Sequence, residues 1–452
     1  MSQLSRREFL RLATLVGGGA ALAACTQATS TTAPQEEAPA DEETPQEEAP
    51  SGEVVEVSWW NPDVLEWQPS YQGIADMVMA NNPNIKVAVG NVPEAEFANK
   101  ITAMIAANDA PDVWTWYYST DTARHGFIQE LDDLMKGSGV DGAKQWFPIC
   151  SLRSIYLGKT YGTPRDGVWT AVIYNQDLFD EFGVTYPEDG WTTDDYLEKA
   201  KGTTDEAKGT WGTMAGGPGS LSWDVGFCWN LHFEIVSEDG RQVKGLLDSE
   251  DSIWAIQWMI DLQDKWKVSP PSGMTQSLGD YPFGSGLVGM ADGHAWGFDS
   301  IKALTFKFDQ LTAPVKPGVS PQAWGDSVQY YMWTGSEHKD EAFEVQKTAS
   351  SVEGSKIPME AGHWTAPCPE TWLALEADKD HITGPWWIEA QKPTQVPNYL
   401  RTEYHFDCVF PEFEGVWTRY IENGERPLDR LVQEAADAAQ KCLDERYAES
   451  ES

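Results

Sequence analysis

The sequence predicts an α/β fold: open, mainly parallel sheets with helices on both faces, divided between two domains or two lobes. Strand-like and helix-like segments alternate in the order β-α-β-α-β from residue 54 onward, an order that builds parallel sheets instead of hairpins. The 400 residues after position 52 exceed what one hydrophobic core usually organises. With 41% hydrophobic and 12% aromatic residues overall, the sequence has the apolar content that a disordered chain lacks.

Val54–Trp60 has the composition of a strand and Tyr71–Asn81 that of a helix. A second strand, Asn84–Val89, follows a proline, and Glu94–Asn108 then places Phe97, Ile101, Met104 and Ile105 on one helical face. Ala110-Pro111-Asp112-Val113 leads into a short strand ending at Trp116, and Trp169–Asn175 is strand-like again. Thr192 is expected to cap a helix together with Asp195 at its third position. Ser249–Trp266 is a longer helix with Ile253, Ile256 and Ile260 toward the core, and Leu287–Ala291 is a strand. Pro427 is expected in the first turn of the C-terminal helix.

The first 52 residues have a different character. Ser5-Arg6-Arg7-Glu8-Phe9-Leu10 resembles a twin-arginine export signal, and the apolar stretch Leu12–Ala24 is too short for a membrane span of ~20 residues. Leu22-Ala23-Ala24-Cys25 resembles a bacterial lipobox, which makes residues 1–24 the signal peptide and Cys25 the lipidated first residue. Residues 25–52 hold two near-copies, Pro34–Pro39 and Pro45–Pro50. They offer no aromatic or aliphatic side chain larger than Ala, the composition of a disordered, extended acidic linker.

Charge excludes two classes of partner. Residues 1–24 carry +2 and 25–52 carry −7, so the −39 of the whole chain leaves −34 on the body. Nucleic acid needs a basic face to release phosphate counterions, and an anionic lipid surface repels this balance. Membrane contact is expected through the N-terminal lipid only. Five cysteines lie in the body, an odd number, with Cys368 and Cys408 a candidate bridge. Cys442 continues the apolar stripe Leu428, Leu431, Val432, Ala435, Ala439, so a small buried hydrophobe is the expected role there. The spacings hold neither a zinc cluster nor a calcium loop, and no metal or cofactor is expected.

The chain has 22 tryptophans, more than its phenylalanines or tyrosines, and many fall at strand ends or in loops beside Asp, Asn or Arg. In open α/β sheets ligands bind beyond the carboxyl ends of the strands. The C–H face of a pyranose suits the electron-rich face of an indole, and its hydroxyls need bidentate polar partners. Packing in the core is the plainer explanation for any one tryptophan. For the whole set the pattern points to a saccharide cleft.

From residue 53 onward the chain resembles the extracellular solute-binding proteins of bacterial carbohydrate-uptake ABC transporters. The resemblance lies in Val57-Ser58-Trp59-Trp60, in Asn82-Pro83-Asn84-Ile85-Lys86-Val87 and in Ala110-Pro111-Asp112-Val113. It continues in Gly158–Pro164 running into Val172–Phe179, and in Phe283–Gly286 with Gly289–Ala291 and Gly293-His294-Ala295-Trp296. It implies two lobes, near 53–164 plus 326–374 and near 169–315 plus 375–452, closing on a ligand between them. By this resemblance Trp116 and Trp296 stack on sugar rings from opposite lobes. Trp60 and Asn61 supply a first-strand contact, Arg165 and Asp166 a crossover contact, and Trp324 and Asp326 a second-crossover contact. Tyr117, Trp169, Trp223, Asp224 and Trp364 complete the candidate ligand set. Where the family often has Gly-Gly at the second crossover, this chain has Trp324-Gly325.

The expected function is capture of a sugar or oligosaccharide and its delivery to a membrane permease, by a monomer and without catalysis. Two other classes fit parts of the pattern: a binding protein for a peptide, polyol or glycerophosphodiester, and a secreted glycoside hydrolase with a tryptophan-lined cleft. No Gly-x-x-x-x-Gly-Lys loop, Gly-x-Ser-x-Gly elbow or His-Glu-x-x-His motif is present. The anchor has a direct test. A Cys25→Ser precursor expressed in a bacterial host should lose its lipid and leave the membrane fraction; retention there would refute the lipobox reading.

Overall fold

Two sheets, each with a single reversed strand, organise the chain. The computed structural model describes residues 53–450 apart from 63–64, 117–119, 215–229, 232, 272–273, 275–277, 279–280 and 394–397. The signal and tether, and the candidates Tyr117, Trp223 and Asp224, lie outside the described residues.

The first sheet contains β1 (Val55–Asn61), β2 (Ile85–Asn91), β3 (Val113–Trp116), β6 (Gly162–Pro164) and β12 (Gln329–Met332), in the order β2-β1-β3-β12-β6. The second contains β7 (Val168–Asn175), β8 (Trp211–Thr213), β9 (Val288–His294) and β10 (Phe308–Leu311), in the order β10-β7-β9-β8, with β11 (Gly325–Asp326) also on β7. A short hairpin, β4 (Ile155–Tyr156) with β5 (Lys159–Thr160), stands apart. Strands β1, β2 and β3 run parallel, whereas β12 is antiparallel to β3 and β6. In the second sheet β7 is antiparallel to β9, β10 and β11. The reversed strands, β12 and β7, are the ones by which the chain enters a sheet after leaving the other. Mainly parallel sheets were expected, and the crossings explain the departure.

Side chains alternate across each strand, so neighbours in sequence go to opposite faces. On β1, Val57 and Trp59 join the larger core under the helices Gln68–Asn81, Lys339–Ala349 and Val352–Ala361. Trp60 goes to the other face, with Trp114, Trp116 and Tyr331, against Phe97 and Ile101 of the helix Glu94–Ala107. Burying each such aromatic contributes roughly 2–3 kcal/mol.

Most predicted elements stand within a few residues of their expected bounds. Thr192 and Asp195 form the expected capping box, and Ser249 caps the helix Glu250–Asp264, which buries Ile256 and Ile260. Strand β9 runs further than expected and takes in Gly293 and His294, which pair with Ala171 and Thr170 of β7. Gly293 permits this close packing: a Cβ there would lie 2.1 Å from Gln310 Oε1. The C-terminal helix begins at Leu428, so Pro427 precedes it instead of opening its first turn.

The cysteine expectations are corrected. Cys408 bonds Cys442 across a Cα–Cα distance of 5.4 Å, while Cys368 is free and donates toward the Ser350 carbonyl. The buried stripe of the last helix passes through Leu443, which leaves Cys442 on its flank facing the segment His405–Val409. Closing a loop over 34 residues stabilises the fold by roughly 2–4 kcal/mol. The double variant Cys408→Ala/Cys442→Ala should therefore unfold at lower denaturant by about that free energy. A non-reduced digest should yield the Cys408–Cys442 cross-linked peptide, and finding Cys368 in a bridge instead would contradict the pairing.

Candidate ligand-binding site

The first crossover, Arg165–Gly167, joins β6 to β7 at the seam between the sheets. Both of its charged side chains are buried. The Arg165 guanidinium donates from Nε and Nη2 to Asp166 Oδ2, at 3.0 and 2.8 Å, and from Nη1 to the Tyr71 hydroxyl at 3.1 Å. It also lies over the Trp364 and Trp67 rings, with its carbon 5.2 and 5.5 Å from their centroids. The other carboxylate oxygen of Asp166 accepts from the Val328 amide at 2.7 Å, and Ser327 Oγ donates to the Asp166 carbonyl. The same pair thus holds the return strand before β12. Burial raises the Asp166 carboxyl, and Arg165 opposes that shift.

The sheets' flanking layers meet beside this clamp. Trp67 follows β1 in its loop and donates Nε1 to Asp299 Oδ2 at 3.1 Å, and Asp299 lies on the helix Phe298–Lys302 after β9. Lys302 of that helix passes so close to Gly362 that a Cβ there would meet its Cδ at 2.4 Å. His363 stacks on Trp67 and shares a 2.7 Å hydrogen bond with Ser70 Oγ.

Three residues before Asp299, at the end of β9, Trp296 projects from the turn Ala295–Gly297. The residue is 40% exposed, the most of any described tryptophan. One face lies on the His294 imidazole, centroids 3.7 Å apart and planes 15° from parallel, and Trp324 meets it edge-on at 5.7 Å. On the first sheet Trp116 is half-buried and stacked on Phe97 at 5.1 Å. Each of these indoles is backed on one side by another ring, Trp116 on the outer helix face that it shares with Trp60.

The remaining candidates divide by burial. Asn61, at the end of β1, is buried, accepts from Thr115 Oγ1, and has an Nδ2 without a protein partner. Trp324 is buried with its Nε1 unpartnered. Asp326 faces Arg153 at 3.3 Å. Trp60 lies over Gly90 with the Lys100 ammonium 4.6 Å from its ring, and so on the outer helix side. Two candidates have no ring face left for a ligand. Trp169 is enclosed by Phe147 and Trp372, and Trp364 by Tyr71, Trp67 and Arg165. Arg165 and Asp166 are likewise turned on each other. The sequence reasoning passed over Trp67, Tyr71, His363 and Asp299; the position of Trp67, in the loop after a strand end, was the available signal.

The tryptophan count itself proves a weak guide. Thirteen of the described tryptophans are buried, and only Trp254 and Trp296 are exposed, Trp254 beneath the Lys316 ammonium. Elsewhere, an open cavity of about 200 Å³ between Tyr174, Asp309 and Ile388 borders the β10 edge and includes none of the candidate residues. Among the described residues no group of His, Cys, Asp and Glu side chains could hold a metal ion, and no helix is long and apolar enough to cross a membrane.

Two α/β lobes joined by paired crossings, with aromatic and polar groups gathered at the seam, define a two-lobed binding fold. The chain matches the family model of the bacterial extracellular solute-binding proteins over residues 61–355. It belongs to that family, and it is accordingly an exported protein. A binding protein of Brucella abortus (strain 2308) is 26% identical over 290 residues, 61% of this chain and 67% of its own length. Among solved structures, the ABC substrate-binding protein Lmo0181 of Listeria monocytogenes, in complex with cycloalternan, superposes with a TM-score of 0.73. It is 21% identical, over 87% of this chain and all of that one. The GacH receptor of Streptomyces glaucescens, solved unliganded and with acarbose, gives a TM-score of 0.73 at 20% identity over 86% and 98% of the two chains. The sugar-binding protein MalE of Xanthomonas citri also gives 0.73, at 16% identity over 88% and 99%.

The clamp is directly testable. Arg165→Ala leaves the Asp166 carboxylate buried without its counter-charge, which should cost roughly 3–5 kcal/mol in denaturant unfolding. A loss below about 1 kcal/mol would show that the pair is dispensable.

Proposed function

We propose that the protein captures a sugar or oligosaccharide outside the cytoplasmic membrane and delivers it to the permease of an ABC transporter. The single observation that carries this reading is Trp296: a large apolar ring at a strand end, backed on one face by His294 and 40% exposed, in a chain that buries thirteen of its described tryptophans. An indole face of this kind suits the C–H face of a pyranose. Family membership and the saccharides bound by solved relatives of the same fold support it.

In this reading Trp116 and Trp296 stack on sugar rings from the two lobes, near 53–164 plus 326–374 and near 169–315 plus 375–452. Asn61, Trp324 and Asp326 supply polar contacts. The unpartnered donors Asn61 Nδ2 and Trp324 Nε1 are suited to hydroxyl oxygens. Arg165 is engaged by Asp166 and Tyr71 and serves the crossover. Tyr117, Trp223 and Asp224 remain candidates on sequence grounds. Ligand contacting both lobes stabilises the closed form through contacts the open form lacks, and the permease reads that closed form. The protein acts as a monomer anchored through lipidated Cys25 on the outer face of the membrane, with residues 26–52 as a spacer, and it performs no catalysis.

A thermal-shift panel of saccharides, peptides and polyols tests the class: a saccharide should raise the melting temperature and emerge uncleaved. Trp116→Ala and Trp296→Ala should each weaken its binding at least about tenfold, near 1.4 kcal/mol, with little change in ligand-free melting. Stabilisation by peptides or polyols alone, or release of hydrolysis products, would overturn the assignment.

A further inference from the structure

Trp296 stands on a three-residue turn after β9, where an exposed indole would ordinarily sample several rotamers. Freezing such a side chain on binding weakens affinity, and a ring already held in its bound orientation avoids that loss. The structure supplies the restraint from one side. His294 lies two residues earlier, its imidazole nearly parallel to the indole at a centroid distance of 3.7 Å. His294 is itself fixed: it is the cross-strand partner of Thr170 on β7, and its Nδ1 shares a 2.8 Å hydrogen bond with Thr170 Oγ1. Trp324 closes the indole's edge.

We infer that His294 is a positioning residue for the ligand: its ring, tied to β7 through Thr170, backs the Trp296 indole and holds the opposite face toward the sugar. The inference rests on the reading that Trp296 carries the saccharide. Two observations separate it from simple packing. The imidazole contacts an exposed ring of the seam, not an interior one, and its restraint comes from the crossover strand rather than from its own strand alone. Burial pushes the imidazole down to about 3, so at neutral pH it is an uncharged ring. Trp296 therefore has a flat aromatic support that does not switch its charge between pH 5 and 8.

The experiment is a double-mutant cycle on the full mature chain, read by calorimetric titration with maltotetraose, mannotriose, cycloalternan and acarbose. His294→Ala should weaken binding of the best saccharide about tenfold, whereas His294→Phe, which keeps a stackable ring, should stay within about threefold of wild type. In a Trp296→Ala background, His294→Ala should cost less than about a further twofold, because the effect passes through the indole. The Phe variant keeps the test decisive should the Ala variant fold poorly. The outcomes would overturn three parts of the account separately. No binding of any probe by wild type removes the saccharide reading and this inference with it. Full affinity in Trp296→Ala removes the site reading. Loss in Trp296→Ala with a normal His294→Ala, an undiminished loss in the double variant, or no rescue by Phe removes the positioning role alone.

Discussion

The guanidinium of Arg165 and the carboxylate of Asp166 form a buried ion pair where the chain first passes between its sheets. Removing both charges from water is costly, and the neighbouring contacts offset part of that cost. Tyr71 accepts from the guanidinium, the Trp67 and Trp364 rings lie beneath it, and the Val328 amide donates to the carboxylate. These contacts draw on the first helix, the crossover, the return strand and the segment after the helix Val352–Ala361. They hold the chain where β7 and β12 start. The positions of Trp296 and Trp324, on strands and loops packed against β7, follow from that geometry.

Beyond the clamp, the seam is governed by a contrast between used and unused faces. Rings such as Trp169 and Trp364 are packed on all sides, and Trp67 spends its donor on Asp299. Trp296 rests one face on His294 and is exposed, and Trp116 is stacked on Phe97. A ring supported from behind can present a defined surface to a flat ligand at little entropic cost. Recognition of this kind is suited to a neutral, hydroxyl-rimmed ring, since the arginine at the seam is engaged within the protein.

Much of the fold was legible because its signals are local. The strand composition of Val54–Trp60, the stripe of Phe97 and Ile101, and the Thr192–Asp195 capping box each act over a few residues and survive in the folded chain. The reversed strands were not legible, since direction within a sheet depends on which lobe a strand enters from. The bridge from Cys408 went to Cys442 and not Cys368 because side-chain phase near the end of a 23-residue helix decides the partner. The site was legible in part. Strand ends pointed to Asn61, Trp116 and Trp296, but composition could not tell Trp296, with a bare face, from Trp169, with none. That distinction arises from contacts such as Trp169 with Phe147 and Trp372, over separations no short motif records. Trp67 was missed for the mirror-image reason, its role being set by Asp299, 232 residues away.

A crystal structure of the mature protein bound to its best saccharide addresses the central claim most directly. The account predicts a pyranose ring lying parallel to the Trp296 indole on the face opposite His294, with the Arg165–Asp166 pair unchanged beside it. A saccharide bound elsewhere, with that face still bare, would contradict it.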